Sequence, residues 1–428
     1  MKKTLFFLLM LVVTTNFFYA QELHKEYYDN GQLSEIGKLD TNGKATGEWK
    51  YYYENGKLSK IGHYDNDKNT GEWKFYYENG KLETVGTFEN GITVGIWKTY
   101  HESGQLMGVG SYENRKQVGE WKYYYENGQL ELVENYNTTG QKAGEWKSYF
   151  ENGKLSIIGS YDNDIKVGEW KYYYEAGQLE RVVLYNANGQ LDGTWKKYHE
   201  NGKQAAVGTF ENDDQVDEWK IYHENGQLAE IGVFKAGELE GLWKVYHDNG
   251  QLSGIGHYKN DKTTGEWKHY HENGQLSEIG YTENGKKIGE WKFYYDNGQL
   301  SEIGTFGSQG VWKSYHENGQ LSAVGIRENY KKIGEWKHYH DNGQLQEIGN
   351  FTNGKATGEW KIYHRNNSLY QIRLWDDGKF MDIISCYDNK GNILDKGTLV
   401  HGNGTVNYYD ENGKLTKTKT YVDGIVKE

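Results

Sequence analysis

Read for its apolar positions, the chain repeats itself. Trp recurs at Trp49, Trp73, Trp97, Trp121, Trp146, Trp170, Trp195, Trp219, Trp243, Trp267, Trp291, Trp312, Trp336 and Trp360. Successive gaps are 24 or 25 residues, except the 21 before Trp312, where the connector shortens to Gly307-Ser308-Gln309. The unit reads Gly-Glu-Trp-Lys-x-Tyr-(Tyr/His)-Glu-Asn-Gly-(Gln/Lys)-Leu-x-x-(Ile/Val)-Gly-x-(Tyr/Phe), then a polar connector such as Asp65-Asn66-Asp67-Lys68-Asn69-Thr70. Tyr stands three residues after every marker Trp, and Ile or Val twelve after it, from Ile61 to Ile372. Aromatic and β-branched residues favour strands. The Asn-Gly between the two runs, as at Asn55-Gly56, tolerates positive φ and is a strong hairpin signal. Each unit is therefore strand, tight turn, strand.

Two registers are open. A two-residue type I′ turn pairs Trp with the Gly thirteen positions on. A longer turn with a bulge pairs Trp with the Ile or Val at twelve and Tyr with Leu. A one-residue slip sends every side chain to the other face. The bulged register is the one expected here, because it sets Trp beside a β-branched residue.

A lone hairpin is marginally stable, so neighbours must stack into a continuous antiparallel sheet. The fold class expected is all-β: an elongated tandem-repeat sheet of about sixteen hairpins of roughly 24 residues. Thirty-odd strands would span on the order of 140 Å, coiled by twist. The Gly two before each Trp, as at Gly47 and Gly71, is read as permitting a bend between units; Asp217 is its single replacement. A partial unit opens the array, with Tyr27, Asn30-Gly31, Leu33, Ile36 and Gly37 in register and His24 at the Trp position. At the other end Trp375 replaces the usual Tyr or Phe. Residues 376–403 are irregular, with a decayed unit around Tyr387 to Ile393, and a last unit follows through Val406, Tyr409, Asn412-Gly413, Leu415 and Tyr421. These ends read as caps, with Lys414, Lys417 and Lys419 blunting an edge.

Composition agrees with a thin sheet: aromatic residues make up 15% while all hydrophobic residues reach only 36%, and Pro is absent. The net charge of −12 argues against nucleic acid and against anionic membrane as partners. The single cysteine, Cys386, cannot form an internal disulfide and reads as a small buried hydrophobe. Lys2 and Lys3, the apolar run Leu5 to Val13, and Ala20 before Gln21 read as a signal peptide cleaved after Ala20, although Phe18 stands where a small residue is preferred. The expected organisation is 1–20 signal peptide, 21–375 repeat array and 376–428 divergent C-terminal repeats. The protein is expected to be exported to the periplasm, envelope or exterior.

The Gly-Glu-Trp-Lys, Tyr-Tyr-Glu-Asn-Gly-Lys-Leu and Ile-Gly-x-Tyr blocks resemble MORN repeats in their bacterial variant form, over about residues 22–375 and 397–424. The resemblance implies an extended sheet used as a scaffold, a dimerisation surface or a lipid-associated module. It also implies kinship with antitoxins of the YwqK kind. The export signal departs from a cytoplasmic antitoxin, and the acidic balance from a lipid-binding array.

Nothing in the repeats assembles a catalytic constellation. Eight of the 14 His share the position four after Trp, including His199, His223, His247 and His271 in consecutive units. Equivalent positions lie two strands apart, roughly 10 Å, whereas ligands sit about 2 Å from a metal. His269/His271 and His338/His340 point to one face in this reading, but no third ligand joins them. Tyr takes the +4 place in other units, so the position accepts a planar amphipathic ring. The Glu before each Trp reads as a solvated face or a cross-strand partner for Lys. Connector Asp and Asn lack the spacing of calcium β-rolls. No metal or cofactor is expected, and the chain is read as non-enzymatic.

What remains is binding. A single-layer sheet cannot hide both faces, and Tyr and Trp favour binding surfaces. The candidate surface is Tyr51, Tyr53, Phe75, Tyr123, Tyr125, Ile221, Val245 and His269. The position two after Trp (Tyr51, Phe75, Thr99, Ser148, Lys197, Ile221, Val245, His269) changes chemistry from unit to unit, and partner choice is expected there. The partner is expected to be another protein, used in scaffolding; the alternatives are neutralisation of a toxin and binding of an envelope glycan.

Overall fold

The computed structural model describes residues 23–427; the signal-peptide reading of residues 1–20 lies outside them. Every regular element among the described residues is a β-strand. The chain divides into two compact units, Met1–Leu191 and Asp192–Glu428. In the first, strands from Leu23–Tyr27 to Leu179–Tyr185 each pair antiparallel with the next in the chain. The second repeats the arrangement from Gly193–Tyr198 to Lys379–Cys386 and adds a small sheet of Gly404–Tyr409, Leu415–Val422 and Ile425–Lys427. The all-β tandem-hairpin class expected from the repeat is the one found.

The register combines both alternatives. At the turn, Tyr53 N–H donates to Lys57 O and Gly56 N–H to Tyr53 O, at 2.8 Å each. Gly56 takes φ +80°. This is a three-residue loop in which Gly supplies the left-handed residue of a bulge. It pairs Tyr52 with Leu58. A second bulge follows at once, between Tyr51 and Tyr52, and restores the other register, so Lys50 faces Ile61 and Trp49 faces Gly62. The expected Tyr–Leu pair is present; the expected Trp–Ile pair is corrected to Trp–Gly.

The reason lies on the next strand. A Cβ added to Gly62 would meet the indole of Trp73 at 2.1 Å. Twelve of the fourteen indoles lie flat across the Gly of the preceding hairpin, where only a residue without a side chain leaves room; Glu134 and Val183 take the Gly place before Trp146 and Trp195, the two indoles that stay half-buried. A β-branched residue there would occupy the space of the ring. The ladder between hairpins breaks at this point: Ile61 faces Lys74 and His63 faces Thr70, which leaves Gly62 opposite the Gly71–Trp73 stretch. Trp73 Nε1–H donates to His63 O at 3.2 Å, replacing a missing ladder bond. Gly71 sits in the same bulge at φ +67° with no heavy atom near its Cβ position. Asp217 adopts φ +60° at the equivalent place, a conformation Asp tolerates better than most residues.

The Tyr or Phe fifteen residues after Trp seals the indole from the side. Trp49, Tyr64, Trp73, Phe88, Trp97, Tyr112 and Trp121 form an unbroken edge-to-face series, with centroids 5.0 to 6.1 Å apart. Such pairs contribute about 1 kcal/mol each beyond area burial. Where Arg327 takes the aromatic place, its guanidinium lies 4.1 Å from the Trp312 ring centre and 5.8 Å from that of Trp336. Twelve of the fourteen marker indoles are buried by this means in a one-layer sheet; Trp146 and Trp195 stay half-buried.

Glu134 stands where the covered Gly should be, opposite Trp121. It is buried and accepts hydrogen bonds from Lys142 Nζ and the Tyr136 hydroxyl, both at 2.6 Å, and from Trp146 Nε1 at 3.2 Å. Burial pushes its pKa up, but these three donors outweigh it and hold the carboxyl below its ordinary value. At the far end Phe380, Ile383, Cys386, Leu399 and Val406 form a compact core, with Cys386 buried as read. The final hairpin keeps the repeat register, with Val406 in the Trp place. Among the described residues, the outer side of strand Leu415–Val422 pairs with Ile425–Lys427 only at Thr420, Tyr421 and Val422, so Lys417 and Lys419 stand on an open stretch of edge, as expected.

Two outcomes follow from this packing. Gly86→Ala, whose Cβ would lie 2.1 Å from Trp97, should cost about 3 kcal/mol and red-shift Trp emission. A melt indistinguishable from the parent would refute the close-approach argument. The Glu134 carboxyl has a lower pKa folded than unfolded, so its stabilisation is present above about pH 4.5 and lost as pH falls through the folded value. Glu134→Gln should therefore flatten the acid limb of a urea-melt pH series and cost about 2 kcal/mol at pH 7.

Candidate functional site

The sheet presents three distinct rows, each assembled by cross-strand pairing. The first is the variable position two after Trp, on the indole face. In the N-terminal unit it runs Tyr51–Lys60–Phe75–Thr84–Thr99–Gly108–Tyr123, each residue directly opposite the next. In the C-terminal unit it runs Ile221–Glu230–Val245–Gly254–His269–Glu278–Phe293. Six of the eight candidate residues thus fall in this kind of row, three in each unit.

Their environments differ. Tyr51 stacks on Trp49 at 6.1 Å, shares a 3.1 Å hydrogen bond with the Tyr64 hydroxyl, and lies under the Lys60 ammonium at 4.0 Å. Phe75 and Tyr123 stack likewise on Trp73 and Trp121. Burial pushes the phenols of Tyr51 and Tyr123 above their ordinary range, aided at Tyr51 by the Tyr64 hydrogen bond. Tyr172, the next phenol of this row type, is pushed up to about 12, chiefly by burial. Ile221 is exposed and Val245 half-buried. His269 stacks on Trp267 at 5.7 Å and lies 3.6 Å from Glu278; burial holds its pKa down, only partly opposed by Glu278. Gly254, whose Cβ would come within 3.1 Å of this imidazole, makes room for the ring.

The second row is the turn edge, which holds the other two candidates. The Tyr53 hydroxyl donates to Tyr76 O at 2.5 Å, and Tyr125 to Tyr149 O at 2.7 Å. The His at the same repeat position does the same work: Nε2 of His199, His223, His247 and His271 lies 2.9 to 3.0 Å from the corresponding carbonyl of the next hairpin. His269 and His271 therefore serve different neighbours, one an indole and one a carbonyl. The turn Asn adds a further staple. Asn79 Oδ1 accepts from its own turn at Lys81 N, and its Nδ2 donates to Glu102 O of the next. Connector carboxylates are similarly engaged, Asp67 accepting from Ala45 N at 2.7 Å and Asp164 from Lys142 N at 2.8 Å.

The third row lies on the face away from the indoles and carries Lys one residue and Tyr three residues after each Trp. It was not among the candidates. The Glu read as a solvated face or a cross-strand partner for Lys is exposed, and it bonds the Lys two positions along its own strand, as Glu48–Lys50 and Glu72–Lys74 at 2.9 Å. The register explains this, since Lys50 faces Ile61 and Glu48 faces His63. One grouping of metal-ligand type arises among the described residues: His24, Glu26 and Glu35, with ligand atoms within 4.8 Å of one another. His24 Nε2 lies 3.5 and 3.3 Å from the two carboxylates, an ion-pair cluster at the first hairpin. Glu26 and Glu35 come together only through strand pairing, so spacing along the chain gave no sign of it.

A family model described as MORN repeat variant matches residues 23–38, 45–66, 69–90, 93–114, 117–138, 142–163, 166–190, 191–212, 218–236, 239–260, 263–286, 287–306, 308–329, 332–353 and 403–423. No curated protein matches the chain. Among solved structures it is similar to a TcdB2-TccC3 complex with Cdc42, at 12% identity over 92% of this chain and 26% of that one, with a TM-score of 0.15. A Tc holotoxin pore from Photorhabdus luminescens is similar at 14% identity over 93% and 26%, also with a TM-score of 0.15. The chain spans about a quarter of the length of these proteins.

The staple at the turn edge is testable by exchange. His247→Tyr should leave stability within about 0.5 kcal/mol of the parent, because a phenol makes the same bond at Tyr53. His247→Phe, which strands the Tyr270 carbonyl, should cost about 1 kcal/mol. Equal melting of the two variants would show that the ring, and not its hydrogen bond, is what the position needs.

Proposed function

Because the chain belongs to the MORN repeat variant family, we propose that it is a non-enzymatic scaffold that binds another protein along the variable row of its indole face. The observation that carries this reading is the contrast within one hairpin. Marker Trp, the following Lys and the Tyr at +3 repeat without change, while the row at +2 moves through Tyr, Phe, Thr, Ser, Lys, Ile, Val and His. A non-repeating partner needs a non-repeating surface, and a contiguous row of side chains two strands per step provides one. The two units offer different chemistry. The first row is aromatic with Lys60 beside it; the second sets Ile221, Val245 and His269 between Glu230 and Glu278. Support for a non-enzymatic role is the engagement of the repeated His, Asn and connector Asp side chains in holding hairpins together.

The leader-like N-terminus supports a partner in the envelope or outside the cell.

The test is capture from envelope and medium fractions of the native host, comparing the parent with an Ile221→Asp, Val245→Asp variant whose circular dichroism is unchanged. The parent should retain a defined protein, and the variant should lose at least about tenfold in retention, consistent with a buried interface pair. Retention that is equal for both, or absent for both, would overturn the reading.

A further inference from the structure

Four hairpins place Lys four residues before the marker Trp: Lys142, Lys166, Lys287 and Lys332. All four ammonium groups lie over rings of the indole face. Lys142 is 5.5 Å from the Tyr161 ring centre, Lys166 4.3 Å from that of Trp170, Lys287 3.9 Å from that of Trp291 and Lys332 4.2 Å from that of Trp336. Two of them also hold a carboxylate supplied by the preceding hairpin. Lys142 bonds Glu134 and Lys287 bonds Glu278, at 2.6 Å each.

The other two meet a second cation instead. Arg327 stands directly opposite Lys332 across the strand pair. Arg181 lies 4.1 Å over Tyr172, which shares a hydrogen bond with Tyr185, and Lys166 lies 5.7 Å from the Tyr185 ring centre. Burial, then Arg181, holds the Lys166 pKa below its ordinary value; burial, then Arg327, does the same at Lys332. Among the described residues no carboxylate forms an ion pair with any of these four side chains, and Nε of both Arg residues is buried without an acceptor. The place that Glu278 fills before Lys287 is held by Ile157 before Lys166 and by Ala323 before Lys332. Glu347 and Glu302, whose charge reaches Lys332, are engaged elsewhere: Glu347 lies 2.9 Å from His338 Nδ1, and Glu302 accepts from the Ser314 hydroxyl at 3.2 Å.

Covering an indole does not require this arrangement. Like charges directly opposite destabilise a strand pair, and a buried donor without an acceptor costs stability. Phe306 and Phe351 seal Trp312 and Trp360 with a ring where Arg327 uses a guanidinium. A chain of net charge −12 nevertheless carries an uncompensated cation pair in each of its two units. Both pairs touch the variable row. Arg181 faces Tyr172 within it, and Lys332 Nζ lies 3.4 Å from Nε2 of His338, which belongs to it. All four cationic side chains are half-buried, so each keeps a solvent-facing part. Beside Arg327 the short connector leaves a hollow of about 30 Å³, lined by Phe306, Ser308, Trp312 and Tyr330.

Building on the protein-binding reading, we propose that each cation pair is completed by a carboxylate of the partner, which presents acidic side chains to the indole face at Lys166–Arg181 and at Arg327–Lys332. The group is a carboxylate because that is what the chain itself sets on the same Lys at Glu134 and Glu278. Arg offers such a group a planar fork of donors and Lys a point charge, and hydrogen bonds between ionised groups are the stronger kind.

Calorimetry on the full chain with an alternating Glu/Leu peptide, its Gln/Leu counterpart and inorganic phosphate tests this. The parent should bind the Glu peptide at least about tenfold more tightly than the Gln peptide, the equivalent of one hydrogen bond to a charged group. That preference should shrink as salt is raised. An Arg181→Gln, Arg327→Tyr variant with unchanged circular dichroism should lose the preference. Arg327→Tyr alone, which restores a ring over Trp312 and removes a like-charge contact, should melt no lower than the parent. Ile157→Glu, which supplies Lys166 with a carboxylate from within the chain, should weaken binding of the Glu peptide as Arg181→Gln does. Equal binding of the two peptides, equal preference in parent and double variant, or binding of phosphate without the Glu peptide overturns the proposal. The protein-binding reading is judged apart from it, by capture with the Ile221→Asp, Val245→Asp variant, in which both cation pairs are intact.

Discussion

Everything in this protein depends on an indole resting on a backbone. A single-layer sheet has no opposite layer to cover its large side chains, yet twelve marker Trp residues are buried. They achieve it by lying across a Gly on the neighbouring strand; at Trp73 an aromatic ring closes the edge and the indole N–H bonds a carbonyl freed by the bulge. The contact always joins one hairpin to the one before it. Burial and repetition are therefore the same fact: no hairpin completes its core alone, and each supplies the floor for its successor. Where Glu134 takes the place of the Gly, a charged side chain enters the indole layer, and Lys142, Tyr136 and Trp146 must satisfy it.

The turn edge follows the same logic with polar groups. A phenol or imidazole, an Asn amide and a connector carboxylate each reach one hairpin onward or back to a backbone group. In another setting His, Asn and Asp would suggest a metal or a catalytic site. Here their hydrogen-bonding capacity is directed into the array, which is why imidazole and phenol are interchangeable.

The two faces carry different rows. The indole face has a row that changes from hairpin to hairpin, beside rings that do not. The opposite face repeats Lys and Tyr, while the residue facing the Glu before Trp changes, as His63, Thr87 and Tyr281 show. Strand alternation keeps the two sets of side chains apart.

The repeat, its hairpin character, the all-β class and the family were legible in the sequence, because period-two alternation, Asn-Gly turns and a fixed Trp spacing are local properties. The buried state of Cys386 and the exchange of His for Tyr at one position were legible for the same reason. The pairing of Trp was not. The local turn geometry correctly put Tyr52 opposite Leu58, but a second bulge one pair later shifts the rest of the hairpin, and its cause is a ring from the next hairpin lying over Gly62. Nor could sequence alone tell that Tyr51 and Tyr53, two residues apart, end in different rows, or that Glu48 bonds Lys50 on its own strand. Sequence by itself determined what each hairpin is made of and how often it recurs. Only the tertiary structure decided which face each side chain joins, because that is set by contacts between hairpins, where a single bulge moves every residue beyond it.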